Sequence, residues 1–153
     1  MISAPVSWGS DLTYVIGKFG IIRAPAALDS TIPSLGILVG YRLDQHYAFE
    51  LDGNAGLQSG SGVLPPTWTI GGYFAFRELL TRNLFWKTRI GSAFSRYVAE
   101  ASDEHELRGA ISLGIGAGWV FHIAKKTSIL AESELTWLGG ARGAATLGVS
   151  LPF

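Results

Sequence analysis

Ile111-Ser112-Leu113-Gly114-Ile115-Gly116-Ala117-Gly118-Trp119 alternates large apolar residues with serine and glycine almost without a break. A strand turns successive side chains to opposite faces, so this stretch has one bulky apolar face and one nearly bare face. The solvent face of a soluble sheet would be rich in Lys, Glu and Asn, which Ser112, Gly114, Gly116 and Gly118 are not. The pattern therefore predicts a strand whose apolar side meets lipid and whose small side lines a narrow interior. The closing stretch, Leu147-Gly148-Val149-Ser150-Leu151-Pro152-Phe153, repeats it and ends on an aromatic ring.

Composition supports the same reading. A length of 153 residues suits one domain over 1–153, with about 1–11 as an N-terminal periplasmic segment. Charged residues make up 16%, against about 25% for an ordinary soluble domain. Aromatics reach 12% and glycine stands at 20 residues, and mean hydropathy is +0.28. Such a chain is too apolar for water, yet it contains no run of roughly 18 apolar residues able to cross a bilayer as a helix. Backbone groups in lipid must be satisfied internally, which leaves a closed barrel. A formal net charge of zero argues against nucleic acid as a partner, and the lack of cysteine is consistent with export. Met1-Ile2-Ser3-Ala4-Pro5 has neither a basic nor an apolar leader region, so a removed signal peptide is the expectation.

Alternation recurs along the chain and breaks where Gly, Pro, Asp, Ser or Asn cluster. Reading the breaks as turns predicts strands at 12–23, 34–43, 47–57, 67–77, 84–98, 107–123, 128–137 and 143–153. Each is close to the roughly nine to eleven residues that a tilted strand needs to cross a membrane. Short connections at 44–46, 78–83 and 124–127 alternate with a second set at 24–33, 58–66, 99–106 and 139–142. Periplasmic turns and extracellular loops alternate in this way, which places both termini in the periplasm.

The outward face carries Leu35, Ile37, Val39, Leu51, Ile70, Ile90, Leu113, Ile115, Leu135, Leu147 and Val149 among others. That bulk exceeds what the interior of a small barrel can hold. Tyr41, Tyr47, Phe49, Phe74, Phe76, Trp86, Trp119, Phe121 and Phe153 fall near periplasmic strand ends, and Trp68, Phe94 and Trp137 near extracellular ends. Two aromatic girdles anchor such a barrel at the two interfaces. The inward face is read as small and charged, with Lys18, Arg42, Glu50, Asp52, Arg77, Lys87, Arg89, Arg108, Glu132, Glu134 and Arg142 among its glycines. Base exceeds acid in that set, and ion pairs across the lumen are expected.

Several segments resemble the barrel domain of the OmpA-like outer-membrane proteins. Tyr14-Val15-Ile16-Gly17-Lys18-Phe19-Gly20 is similar to that family's first strand, with its inward lysine, and Tyr47-Ala48-Phe49-Glu50-Leu51 to its third. Thr88-Arg89-Ile90-Gly91, Gly116-Ala117-Gly118-Trp119 and Glu134-Leu135-Thr136-Trp137 resemble the fifth, sixth and seventh. The resemblance implies a bacterial outer-membrane location, contact with membrane lipids and lipopolysaccharide, and a monomer. It also implies that Phe153 belongs to the signal read by the barrel-assembly machinery. Many members continue into a periplasmic peptidoglycan-binding domain, which is not expected within 1–153.

Chemistry has few candidates. His46 and His122 are placed near periplasmic ends, away from any outer-leaflet substrate, and His105 sits in an acidic loop with Ser102, Asp103, Glu104 and Glu106. A solvated loop accounts for that cluster, although its carboxylates would also suit divalent ions held with lipopolysaccharide phosphates. No phosphate loop, nucleotide fingerprint or metal-spaced His/Cys cluster is present. No catalytic, cofactor or metal residue is assigned. The expectation is an all-β, eight-stranded antiparallel up-and-down transmembrane β-barrel with a structural, membrane-integrity role and a lumen plugged by its ionic network. A low-conductance gated pore for ions or small solutes is the alternative, and an adhesin or receptor acting through extracellular loops is a further one.

Overall fold

Eight strands follow one another around a closed antiparallel barrel, each hydrogen-bonded to its sequence neighbours and β1 to β8. They are β1 (Thr13–Arg23), β2 (Thr31–Arg42), β3 (Tyr47–Gly56), β4 (Trp68–Leu79), β5 (Leu84–Val98), β6 (His105–Ala124), β7 (Thr127–Leu138) and β8 (Ala141–Pro152). The structure, a computed structural model, describes residues 13–23, 31–57, 68–98, 105–124, 127–138 and 141–152. Phe153, the expected N-terminal segment and loop residues Ser102, Asp103 and Glu104 lie outside the described residues. The side chains of His105, Glu106 and Arg142 are likewise not described.

The start of β1 and the end of β8 share one rim, paired through Tyr14 and Pro152. Two turns at this terminal rim are built by one device, a short polar side chain folding back on the chain ahead of it. The Asp44 carboxylate accepts the backbone N–H groups of His46 at 2.7 Å and Tyr47 at 2.8 Å. Those bonds hold its carboxyl below the usual carboxylate range. The Thr81 hydroxyl accepts from Asn83 at 3.3 Å and Leu84 at 3.0 Å. Asn83 then donates its side-chain amide to the Val120 carbonyl at 2.6 Å, tying the turn to β6.

Strand existence and parity follow the sequence reading, but three strands begin earlier at the opposite, loop rim: β2 at Thr31, β6 at His105 and β8 at Ala141. Pro33 reads as a strand breaker, yet it pairs with Ile21 inside the β1–β2 ladder. An antiparallel residue points its N–H and C=O to the same neighbour, and the Pro33 carbonyl accepts from Leu57 on the β3 side. The β3 ladder has ended there, beginning only at Ser34 and Gly56. The missing Pro33 N–H therefore breaks no ladder bond.

The outer surface is the apolar face. Phe19, Ile37, Leu51, Ile70, Ile90, Leu113, Ile115 and Leu147 are all exposed. At the terminal rim its rings run together: Tyr47 and Phe74 centroids are 5.5 Å apart, Phe49 and Phe74 5.5 Å, and Phe76 and Trp86 5.2 Å. Trp119 and Phe121 continue the girdle on β6, 6.3 Å apart, and Tyr41 lies exposed on β2. Phe94 and Trp137 are exposed towards the loop rim, and Trp68 is half-buried there as the first residue of β4.

Inside, long side chains lie over glycines on the neighbouring strand. The register sets Lys18 opposite Gly36 and Gly148, Phe85 opposite Gly118, Lys87 opposite Gly116, and Arg89 opposite Gly114. A Cβ at Gly118 would meet the Phe85 ring at 2.5 Å and the Ala131 carbonyl oxygen at 2.6 Å. Gly118→Ala is accordingly expected to destabilise the barrel by about 1–3 kcal/mol. Urea titration of the refolded protein in detergent or lipid checks this, and an unchanged midpoint would remove the packing argument.

Candidate functional site

The lumen gathers the charged side chains, and the odd-numbered strands supply most of them. From the terminal rim, β1 brings Lys18, β3 brings Glu50 and Asp52, β5 brings Lys87 and Arg89, and β7 brings Glu132 and Glu134. Because the partners sit on alternate strands, the ion pairs reach across the interior rather than along one ladder. Asp52 accepts from Lys18 at 2.5 Å and from the Arg89 guanidinium at 2.6 Å. Arg89 Nε also binds Glu134 at 2.5 Å, and Lys87 Nζ lies 2.5 Å from Glu132, 3.4 Å from Glu134 and 4.0 Å from Glu50. On β4, Arg77 reaches Glu50 at 3.4 Å.

Neutral donors complete the belt. Tyr14 donates its hydroxyl to Glu50 at 2.7 Å, Asn54 its amide to Asp52 at 2.9 Å, and Thr136 its hydroxyl to Glu134 at 2.9 Å. Arg89 also lies 4.0 Å over the Tyr73 ring, a cation–π contact in a desolvated setting. Lys87 is only 2% exposed, so its ammonium depends on these carboxylates for its solvation.

The structure brings Lys18, Glu50, Asp52, Arg77, Lys87, Arg89, Glu132 and Glu134 together, while the side chain of Arg142 lies outside the described residues. Arg42 lies at the terminal rim with its guanidinium 5.2 Å from the Tyr14 ring centre. Arg108 is exposed where β5 and β6 extend towards the loop rim. Among the described residues, these bridges join four cations to four carboxylates. His122 keeps the parity of the inward Val120 and lies exposed at the terminal rim, with Nδ1 3.0 Å from the Ser128 hydroxyl; the register shift of β6 follows it, between His122 and Ala124.

A larger correction concerns the inward face as a whole, which is not merely small and charged. Tyr14, Ile16, Leu38, Ala48, Phe85, Val120 and Leu130 form a buried apolar cluster in the lumen, with Leu79 packed against it. Parity carried the signal: Phe85 shares a face with Lys87 and Arg89, and Tyr14 and Ile16 share one with Lys18. Towards the loop rim, Asn54, Thr69, Thr136 and Thr146 surround a cavity of about 90 Å³ whose floor includes Ile16, Leu38 and Leu130.

No family model and no curated protein sequence matches the chain. Solved structures do. Neisserial surface protein A superposes with a TM-score of 0.72 at 16% identity, covering 95% of this chain and 99% of that one. The N-terminal barrel domain of Pseudomonas aeruginosa OprF gives 0.63 at 19% identity, covering 94% and 98%. The chain has the fold of the OmpA-like transmembrane barrels. Ail, the attachment invasion locus protein of Yersinia pestis, is a more distant likeness at 0.52 and 14% identity, covering 92% and 97%. At such identities the likeness is one of fold alone.

Proposed function

We propose that this barrel resides in a bacterial outer membrane with its terminal rim in the periplasm, and that its role is structural: it spans and supports the membrane with a closed lumen and no catalysis. The observation that carries this reading is the saturated interior. Charged side chains from four odd-numbered strands and β4 interlock across the lumen, and an apolar layer lies on their terminal side. An eight-stranded barrel has an interior just wide enough to be filled by side chains, which suits a pillar better than a conduit. Its expected partners are membrane lipids, lipopolysaccharide and, during biogenesis, the barrel-assembly machinery that reads Phe153.

Planar-bilayer recording tests the reading. Silence from the refolded protein is the expected result. Reproducible single-channel steps whose ion selectivity shifts in Glu134→Gln would replace it with the low-conductance pore. One observation favours that second reading: Lys87 is shared among Glu50, Glu132 and Glu134, so its partners can exchange without leaving a bare charge. Non-catalysis has its own check, since lipid A incubated with the refolded barrel is expected to keep its mass spectrum.

A further inference from the structure

The lumen holds two barriers of different chemistry, stacked along the barrel axis. On four strands the order from the terminal rim is the same: Ile16 then Lys18, Ala48 then Glu50, Phe85 then Lys87, Leu130 then Glu132. Two residues of strand separate the layers, about 6.6 Å along the chain. The charged layer lies on the loop-rim side, and the cavity there reaches past it to Ile16, Leu38 and Leu130. The apolar layer lies behind it, and Phe85, at 0% exposure, is its most enclosed large side chain.

These layers resist ions in different ways. Paired carboxylates and ammonium groups still offer charge and hydrogen bonds to water or to a passing ion, so an ion can be handed between them. An apolar constriction offers nothing to replace a hydration shell, and it gates by excluding water. Phe85 is held in place from two sides. The Arg77 guanidinium carbon lies 4.9 Å from its ring centre, and Gly118 leaves space for the ring that a Cβ would occupy. Leu38 and Val120, at 2% and 1% exposure, close the layer from the even-numbered strands.

We propose that the apolar layer centred on Phe85, with Leu38 and Val120, is the barrel's ion barrier, and that the ionic belt contributes stability rather than closure. The inference rests on the closed-lumen reading above and assigns that closure to particular residues. Opening the lumen then means wetting this layer, whatever the belt is doing.

The test is planar-bilayer recording on the full chain in its original form and as Phe85→Ala, Val120→Thr and Glu134→Gln. Heat-modifiable electrophoretic mobility confirms that each barrel is folded. Val120→Thr keeps the side-chain shape and adds one hydroxyl, so it tests wetting even if Phe85→Ala fails to fold. Expected are discrete conductance steps from both apolar-layer variants, at least tenfold more frequent than from the original chain, with Glu134→Gln remaining at the original level. Folded apolar-layer variants that stay silent overturn the proposal, as does a Glu134→Gln barrel that conducts as often as they do. Frequent steps from the original chain would instead overturn the closed-lumen reading itself.

Discussion

Arg89→Met is expected to lower the unfolding free energy of the refolded barrel by about 3–5 kcal/mol, the range for removing one partner of a buried ion pair. Arg89 bonds Asp52 at 2.6 Å and Glu134 at 2.5 Å while lying against Tyr73. Methionine fills much of its volume but leaves both carboxylates short of a cation. Asp52 keeps Lys18, and Glu134 keeps Lys87, already shared with Glu132 and Glu50. The penalty should therefore come mainly from uncompensated charge. Adding Glu134→Gln to Arg89→Met removes one of those charges, so the pair is expected to cost less than the sum of the single changes. Urea unfolding followed by tryptophan fluorescence measures all three variants. Strict additivity would mean that the belt does not act as a network.

Ile90→Arg is the complementary experiment on the outer face, with an expected loss of about 2–4 kcal/mol when the side chain lies at the bilayer midplane. Ile90 is 53% exposed, so in water such a substitution would be nearly free. It lies on the same face of β5 midway between Trp86 and Phe94, rings belonging to opposite girdles, with Phe74 and Leu113 as cross-strand neighbours. A guanidinium there has no interface within easy reach. Leu80, exposed in the terminal-rim turn, supplies the control: Leu80→Arg is expected to change stability by less than about 1 kcal/mol, as charges near the interface do. Equal, small effects at both positions in lipid vesicles would refute the lipid-facing assignment.

Strand number, inside-outside parity and closure were legible in the sequence because a strand's period is two and the two faces differ so sharply. Ile90 and Lys87 could be assigned to opposite faces from alternation alone. Parity says nothing about height, however. Whether Arg108 stands level with Glu134 or beyond it depends on strand tilt and register, and the structure puts Arg108 on the exposed β5–β6 extension. Phe85 and Leu38 were hidden for another reason. An apolar residue on an otherwise charged face contradicts the simple two-face reading, and only the assembled layer shows that such residues occur together.

The alternate-strand arrangement of the belt bears on how the barrel enters a membrane. Lys18 on β1 finds Asp52 on β3, Asp52 finds Arg89 on β5, and Arg89 finds Glu134 on β7, so most of these bonds span two ladders instead of one. A flat, partly formed sheet would hold those groups too far apart to neutralise one another. Each ionised group stranded at the bilayer centre costs about 2.5–3.5 kcal/mol. Inserting the hairpins one after another would thus climb an energetic hill that falls only as the sheet curves enough to bring alternate strands within reach of one another. For this chain, crossing the membrane and curling into a cylinder are expected to be a single concerted event.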